Sequence, residues 1–117
     1  MNQIRLDFAQ FTGTQCYHRV SRQFVVTDGC KYLAENAACY WLFDTVSCHI
    51  AEIKTEDWFI LVRLEVADSR AVLSYEDGNG NVYARQEIEY TDFPLDQITL
   101  YACWDGERWV LMLPSEY

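Results

Sequence analysis

Residues 58–66, WFILVRLEV, mark the point where the chain changes from a helical to a two-residue periodicity. Alternate side chains of a β-strand point to opposite faces of its sheet. Here one set is wholly apolar, and the other set includes Arg63 and Glu65. The stretch therefore predicts a strand with one buried face and one partly exposed face.

Two predicted hairpins follow this strand. Turn-forming residues occupy 77–81, and Asp105-Gly106 is a second turn signal, because Asp, Asn and Gly tolerate the backbone angles of tight connections. If Asp105-Gly106 forms a two-residue turn, Trp104 pairs with Glu107 and Ala102 with Trp109. The predicted strands around the two turns are 71–76, 82–90, 98–104 and 108–113.

A helix is predicted at 30–52, a stretch without Pro or Gly. At about 100° per residue, one narrow charged stripe faces water and most of the remaining circumference is apolar. The stripe consists of Lys31, Glu35, Thr45, His49 and Glu52. Thr27 or Asp28 is placed to cap its start. Short strands are predicted at 16–20 and 23–27, and a short helix at 3–11.

These elements predict an α+β fold: one main buried helix packed on a meandering antiparallel β-sheet, with a short N-terminal helix. The length of 117 residues suits a single domain covering 1–117. The first seven residues carry charges where a secretory signal would need an apolar core, and no later run is long enough to span a membrane. We therefore expect a cytoplasmic protein with no membrane partner, whose five cysteines stay reduced.

Negative charge is concentrated in one part of the chain, since residues 64–107 hold ten acidic residues against two Arg. Such a charge disfavours direct binding to nucleic acid or anionic lipid. It has two interpretations: the solvated face of a sheet, or a site for the basic surface of a larger protein. The carboxylates of the second interpretation are Glu76, Asp77, Glu87, Glu89, Asp92 and Asp96, with Tyr83, Tyr90 and Phe93 as apolar anchors.

An alternative site lies on the predicted main helix. Asn36, Tyr40 and Asp44 align on the side opposite the charged stripe, where they would form a buried hydrogen-bonded network or line a pocket. A pocket there would indicate a small enzyme or a ligand-binding module. A third interpretation is a homo-oligomer whose sheets associate through Trp and Tyr side chains.

No residue pattern predicts a catalytic residue, a metal site or a cofactor. Asp77, Asn79 and Asn81 have the spacing that opens a calcium loop, but Val82 and Ile88 stand where that loop needs Gly and Glu. Cys39 is half a helical turn away from Cys30 and Cys48, so the three would not share a zinc ion. A non-enzymatic protein is therefore expected.

Five blocks of the sequence resemble a family of short uncharacterised proteins from bacteria, phages and other mobile elements. The blocks are Phe11-Thr-Gly-Thr14, residues 27–36 (TDGCKYLAEN), residues 40–44 (YWLFD), residues 88–95 (IEYTDFPL) and residues 113–117 (LPSEY). The resemblance implies one small domain of unknown function and assigns no activity. Its setting favours an inhibitor of a host nuclease or CRISPR-type complex, which would occupy a basic nucleic-acid-binding surface.

Overall fold

The computed structural model describes residues 17–21, 23–53 and 57–117. Two short strands come first, and two helices connect them to five further strands. In chain order the elements are β1 His18–Ser21, β2 Phe24–Val26, α1 Asp28–Ala37, α2 Tyr40–Glu52, β3 Phe59–Ala67, β4 Arg70–Glu76, β5 Val82–Ile88, β6 Gln97–Trp104 and β7 Trp109–Met112. A single 3₁₀ turn, Pro114–Glu116, follows β7.

All seven strands form one sheet in the order β1-β2-β7-β6-β3-β4-β5. Neighbouring strands are antiparallel except β2 and β7, which run parallel. The predicted hairpins β4–β5 and β6–β7 are confirmed. The β6–β3 and β2–β7 pairings join distant parts of the chain, and local sequence patterns do not specify them.

The predicted α+β class, with one main buried helix packed on a meandering antiparallel sheet, is wrong, because the structure is dominated by a seven-stranded sheet and its described helices are two short ones. The predicted helix at 30–52 is two short helices, which end and restart around Ala38 and Cys39. Ala38 adopts a left-handed conformation with φ 52°, and its N–H closes α1 on the carbonyl of Ala34. Glycine usually occupies this position at the end of a helix, and alanine rarely does. Because the break has neither Gly nor Pro, the sequence does not reveal it. The predicted helix at 3–11 lies outside the described residues.

Both helices pack on one face of the sheet. Leu42 and Val46 of α2 and Leu33 of α1 are fully buried, as are Ile60 of β3 and Leu73 of β4. The prediction of a buried apolar face on β3 is confirmed for Ile60, Val62 and Leu64, whereas Val66 is only partly buried and Trp58, just before the strand, is 55% exposed. Within the described ranges, neither helix is long and apolar enough to cross a membrane.

The end of the chain caps the first helix. The Glu116 carboxylate accepts hydrogen bonds from the Thr27 hydroxyl at 2.5 Å, the Gly29 amide at 3.2 Å and the Leu113 amide at 3.0 Å. A carboxylate is favoured at this position because the first amides of a helix lack intrahelical partners. A side chain at Gly29 would lie 2.5 Å from a Glu116 carboxylate oxygen, so a larger residue there would displace the Glu116 side chain from its present position. Residues 27–36 and 113–117, two of the blocks that carry the family resemblance, are therefore in contact.

The connection between β6 and β7 differs from the predicted two-residue turn. Trp104 pairs with Trp109 and Ala102 with Leu111, which leaves a four-residue loop. The Asp105 carboxylate accepts hydrogen bonds from the amides of Glu107 and Arg108, both at 2.9 Å, and these bonds stabilise the longer loop. The predicted register is shifted by two residues, and a shift of two keeps every side chain on its predicted face.

Candidate functional site

An acidic groove lies where β3 ends and β4 begins. It has a volume of about 990 Å³ and is open to solvent. Four carboxylates line it, and Arg70 is the single base among the described residues around it. We define the acidic groove by these carboxylates: Glu65, Glu87, Glu89 and Asp96.

Strand pairing places the carboxylates of the groove. Val72 of β4 lies opposite Glu65 of β3 on one side and Glu87 of β5 on the other. The two glutamates therefore share a face of the sheet, about 10 Å apart, since neighbouring strands are about 4.8 Å apart. The backbone carbonyl of Asp96 accepts the Val66 amide at 2.7 Å, which fixes the segment before β6 against β3.

The predicted set of acidic residues is divided between the two ends of the sheet. Glu87, Glu89 and Asp96 line the groove, and exposed Asp92 is near it, because the Thr91 amide donates to the Ser69 carbonyl in the β3–β4 turn. Glu76 and Asp77 lie at the far end of β4. Their separation follows from strand direction, because β4 places its two ends about 20 Å apart.

Positive charge lies between Glu76 and the carboxylates of the acidic groove. The Arg63 guanidinium lies 3.5 Å from the Glu76 carboxylate. Arg63 and Arg85 lie on either side of Ser74, in one row across the sheet. This row lies between the row that contains Glu87 and the row that contains Glu76. The acidic face is therefore not continuous along the strands, and Glu76 has a local structural partner.

Asp77 organises its own loop. Its carboxylate accepts the Asn79 amide at 2.7 Å, the Asn81 amide at 3.2 Å and the Asn81 side-chain amide at 2.7 Å. These bonds hold the pKa of Asp77 below its usual value, and the bond from the Asn81 side chain has the largest effect. The interpretation of 77–81 as a hairpin connection is confirmed.

The three predicted apolar anchors occupy different environments. Tyr90 is 74% exposed and follows Glu89 at the edge of the groove, so it is available to a partner. Phe93 is 6% exposed and belongs to the core, so its assignment as a surface anchor is wrong. Tyr83 donates a hydrogen bond to the Asp57 carboxylate at the opposite end of the sheet from the groove.

The alternative site on the helices is not enclosed. Asn36, Tyr40 and Asp44 are all exposed, and Asn36 donates to the Tyr32 carbonyl within its own helix at 2.8 Å. The expectation that they form a buried network or line a pocket is corrected by this exposure. The break at Ala38 changes the direction of the chain between Asn36 and Tyr40, so alignment on one continuous helix no longer applies.

The histidines have structural partners. Nε2 of His18 lies 2.9 Å from the Asp28 carboxylate, and Nδ1 of His49 lies 2.8 Å from the buried Tyr75 hydroxyl. His49 was expected on the solvent stripe, but it is only partly exposed because its ring reaches β4. In the part of the chain that the structure describes, no three His, Cys, Asp or Glu side chains are grouped so as to hold a metal ion.

The four described cysteines should differ strongly in reactivity. Cys30 and Cys39 are fully buried, and burial raises the pKa of Cys30 and raises that of Cys39 from 9.0 to about 12. Cys48 is exposed and Cys103 is half-buried. Since the thiolate is the reactive form, the raised pKa and the burial of Cys39 should leave it unreactive in mildly alkaline solution.

We therefore expect iodoacetamide to alkylate Cys48 first among these four thiols and to reach Cys30 and Cys39 only in denaturant. Peptide mapping by mass spectrometry at increasing times measures the order. A Cys48→Ser variant provides the control. It has no thiol at position 48, so the peptide that is alkylated first in wild type must stay unmodified in the variant. Rapid native alkylation of Cys39 would contradict the buried, protonated thiol.

Two acidic residues at or near the acidic groove, Glu65 and Asp68, were not among the binding residues predicted from sequence. Glu65 lies in the groove, and Asp68 is exposed in the two-residue β3–β4 turn, with φ 53°. Glu65 already stood out as a charge on the partly exposed face of the strand at 58–66. Its proximity to Glu87 depends on the β3–β4–β5 register, for which the sequence has no local signal.

Comparisons with known proteins give a family and one similar fold but no activity. No curated protein matches the chain. A crystal structure described as that of a protein of unknown function from Enterococcus faecalis is similar, with a TM-score of 0.58 and 13% identity over 85% of this chain and 93% of that chain. At that identity the similarity shows the fold alone. A family model described as a family of unknown function, DUF6876, matches residues 2–117, and the chain therefore belongs to this family.

Proposed function

We propose that this chain is a non-enzymatic interaction protein that binds a basic surface on a larger protein through the acidic groove. The observation that carries the proposal is the grouping of four carboxylates around one depression of about 990 Å³, with Arg70 as the one base that lines it among the described residues. Unbalanced charge of one sign attracts a partner of the opposite sign and accelerates its association. Tyr90, 74% exposed beside Glu89, supplies an aromatic side chain for the centre of such an interface.

The fold also supports binding at this position. The carboxylates project from paired strands or from segments hydrogen-bonded to them, so their spacing is set by the sheet. A charged site on a rigid element loses little conformational entropy when a partner binds. The negative charge of the groove makes direct contact with nucleic acid unfavourable, so the partner is a protein.

A narrower form of the proposal places the chain in a phage or another mobile element and in the cytoplasm of its host. The target would then be a host nuclease or CRISPR-type effector, whose basic nucleic-acid-binding surface the chain would cover. This form is supported by the resemblance of the sequence to mobile-element proteins and by the complementarity of an acidic groove to a phosphate-binding surface.

The test is capture of a partner from bacterial lysate by the tagged full chain, compared with Glu87→Lys/Glu89→Lys. We expect the variant to lose roughly tenfold or more in affinity, because two attractive contacts become repulsive. High salt should also weaken capture by wild type, since exposed charges are screened. Captured proteins are identified by mass spectrometry, and affinities are then measured with the purified partner.

The matched control is Glu52→Lys/Glu107→Lys, which changes net charge equally at two exposed positions outside the groove. It should keep most of the affinity. Circular dichroism must show that both double variants retain their fold. Equal losses in the two variants would mean that net charge alone drives binding, and undiminished binding by Glu87→Lys/Glu89→Lys would exclude the groove.

A further inference from the structure

A second cleft, lined by aromatic and acidic side chains, lies at the end of the sheet opposite the acidic groove. It has a volume of about 490 Å³ and lies beside the start of β3, the β4–β5 loop and the final residue. Six side chains define this aromatic cleft: Asp57, Trp58, Phe59, Asp77, Tyr101 and Tyr117. Phe59 and Glu65 are six residues apart on β3, so the two sites are about 20 Å apart.

The aromatic rings of the cleft contact one another edge to face. Ring centroids are 5.1 Å apart for Phe59 and Tyr101, 5.6 Å for Tyr101 and Tyr117, and 6.0 Å for Phe59 and Tyr117. Trp58 extends the cluster, 5.8 Å from Phe59. Even so, Trp58 is 55% and Tyr117 67% exposed. Grouped exposed aromatic rings beside a cavity are typical of a binding site.

The charge of the aromatic cleft selects the ligand. Asp57 and Asp77 supply carboxylates, and among the described residues no Lys, Arg or His lines the cleft. Asp57 accepts a hydrogen bond from the Tyr83 hydroxyl, which orients its carboxylate. Ring faces carry negative potential as well. An anion would therefore be repelled, and a cation would be attracted by both kinds of group.

Among biological cations, a guanidinium group best fits these surroundings. It is planar, it is more weakly hydrated than an ammonium group, and it can stack on a ring while donating hydrogen bonds to a carboxylate. The chain already contains one such contact, because the Arg108 guanidinium lies over the Tyr17 ring, 4.8 Å from its centroid. That contact is outside the aromatic cleft, so it leaves the cleft open.

We propose that the aromatic cleft binds the guanidinium group of an arginine side chain presented by a peptide or protein. This inference does not depend on the proposed function, because it concerns different residues at the other end of the sheet. An arginine-bearing partner would be recognised here by its side-chain chemistry, whereas the acidic groove recognises only a basic surface.

The probe is N-acetyl-arginine amide, titrated into the ¹⁵N-labelled full chain and followed by two-dimensional NMR. N-acetyl-citrulline amide is the matched control ligand, because it keeps the shape of arginine without the charge. We expect saturable shifts at the Trp58 indole N–H and the Tyr101 amide, with citrulline binding about tenfold more weakly. Equal binding of the two ligands, saturable shifts confined to residues outside the cleft, or no saturable shift would overturn the proposal.

Variants then test the contributions of the ring and the carboxylate. Tyr117→Leu should weaken arginine binding about fivefold by removing a π face, whereas Tyr90→Leu, at a comparably exposed tyrosine outside the cleft, should not. Asp57→Asn keeps an acceptor for the Tyr83 hydroxyl but removes a negative charge. It should therefore weaken the binding of the arginine ligand more than that of the citrulline ligand. Glu87→Lys/Glu89→Lys should leave arginine binding unchanged, so failure at the acidic groove and failure at the aromatic cleft are distinguishable.

Discussion

Replacing Glu116 by alanine is expected to lower the free energy of unfolding by about 3 kcal/mol, because three donors lose a charged acceptor together. The Thr27 hydroxyl and the amides of Gly29 and Leu113 all donate to this carboxylate. It also lies at the N-terminus of α1, where negative charge is favourable. Urea unfolding followed by circular dichroism measures the loss.

The control for this prediction is Glu107→Ala, which removes an exposed carboxylate at the β6–β7 loop. It should change stability by less than about 0.5 kcal/mol. Combining Glu116→Ala with Thr27→Val in a double-mutant cycle isolates the hydroxyl contact. An effect of Glu116→Ala as small as that of the control would mean that the final turn does not cap the helix in solution.

Replacing Tyr75 by alanine is expected to cost about 3 to 5 kcal/mol, the range for removing a buried aromatic side chain. Tyr75 is fully buried in β4 beneath α2, and its ring contacts the His49 ring edge to face at 5.2 Å. Burial also raises the pKa of the Tyr75 phenol, so it stays protonated and available as a hydrogen-bond donor. Urea unfolding again provides the measurement.

A more conservative variant separates packing from hydrogen bonding. Tyr75→Phe keeps the ring and should cost about 1 kcal/mol, the net value of the bond to His49. That cost should largely disappear in a His49→Ala background, because the hydroxyl then has already lost its partner. Equal costs of Tyr75→Phe in both backgrounds would show that the histidine contact contributes nothing to stability.

The proposed interactions use the two ends of one rigid sheet. The acidic groove offers dense negative charge with one neighbouring exposed tyrosine, and the aromatic cleft offers rings with two carboxylates. Charge governs encounter at the acidic groove and is screened by salt, whereas ring stacking contributes to binding in the aromatic cleft and is less sensitive to salt. Salt dependence therefore distinguishes the two modes of binding without mutation.

Local patterns in the sequence determined the strands and the hairpins. Alternation at 58–66 predicted β3 and its buried face, because side-chain direction in a strand follows directly from residue spacing. Turn residues at 77–81 predicted the β4–β5 connection, and the concentration of charge at 64–107 predicted an acidic region. These features depend only on neighbours in the chain, so they can be recognised without the fold.

Only the tertiary structure decided how distant segments combine. The helix break at Ala38 has no Gly or Pro signal, the parallel β2–β7 pair joins segments more than eighty residues apart, and the Glu116 cap reaches back to α1. Strand register placed Glu65 and Glu87 on either side of Val72 and placed Arg63 against Glu76. Such contacts arise because packing and hydrogen bonding are optimised over the whole chain, whereas sequence spacing constrains only neighbouring residues.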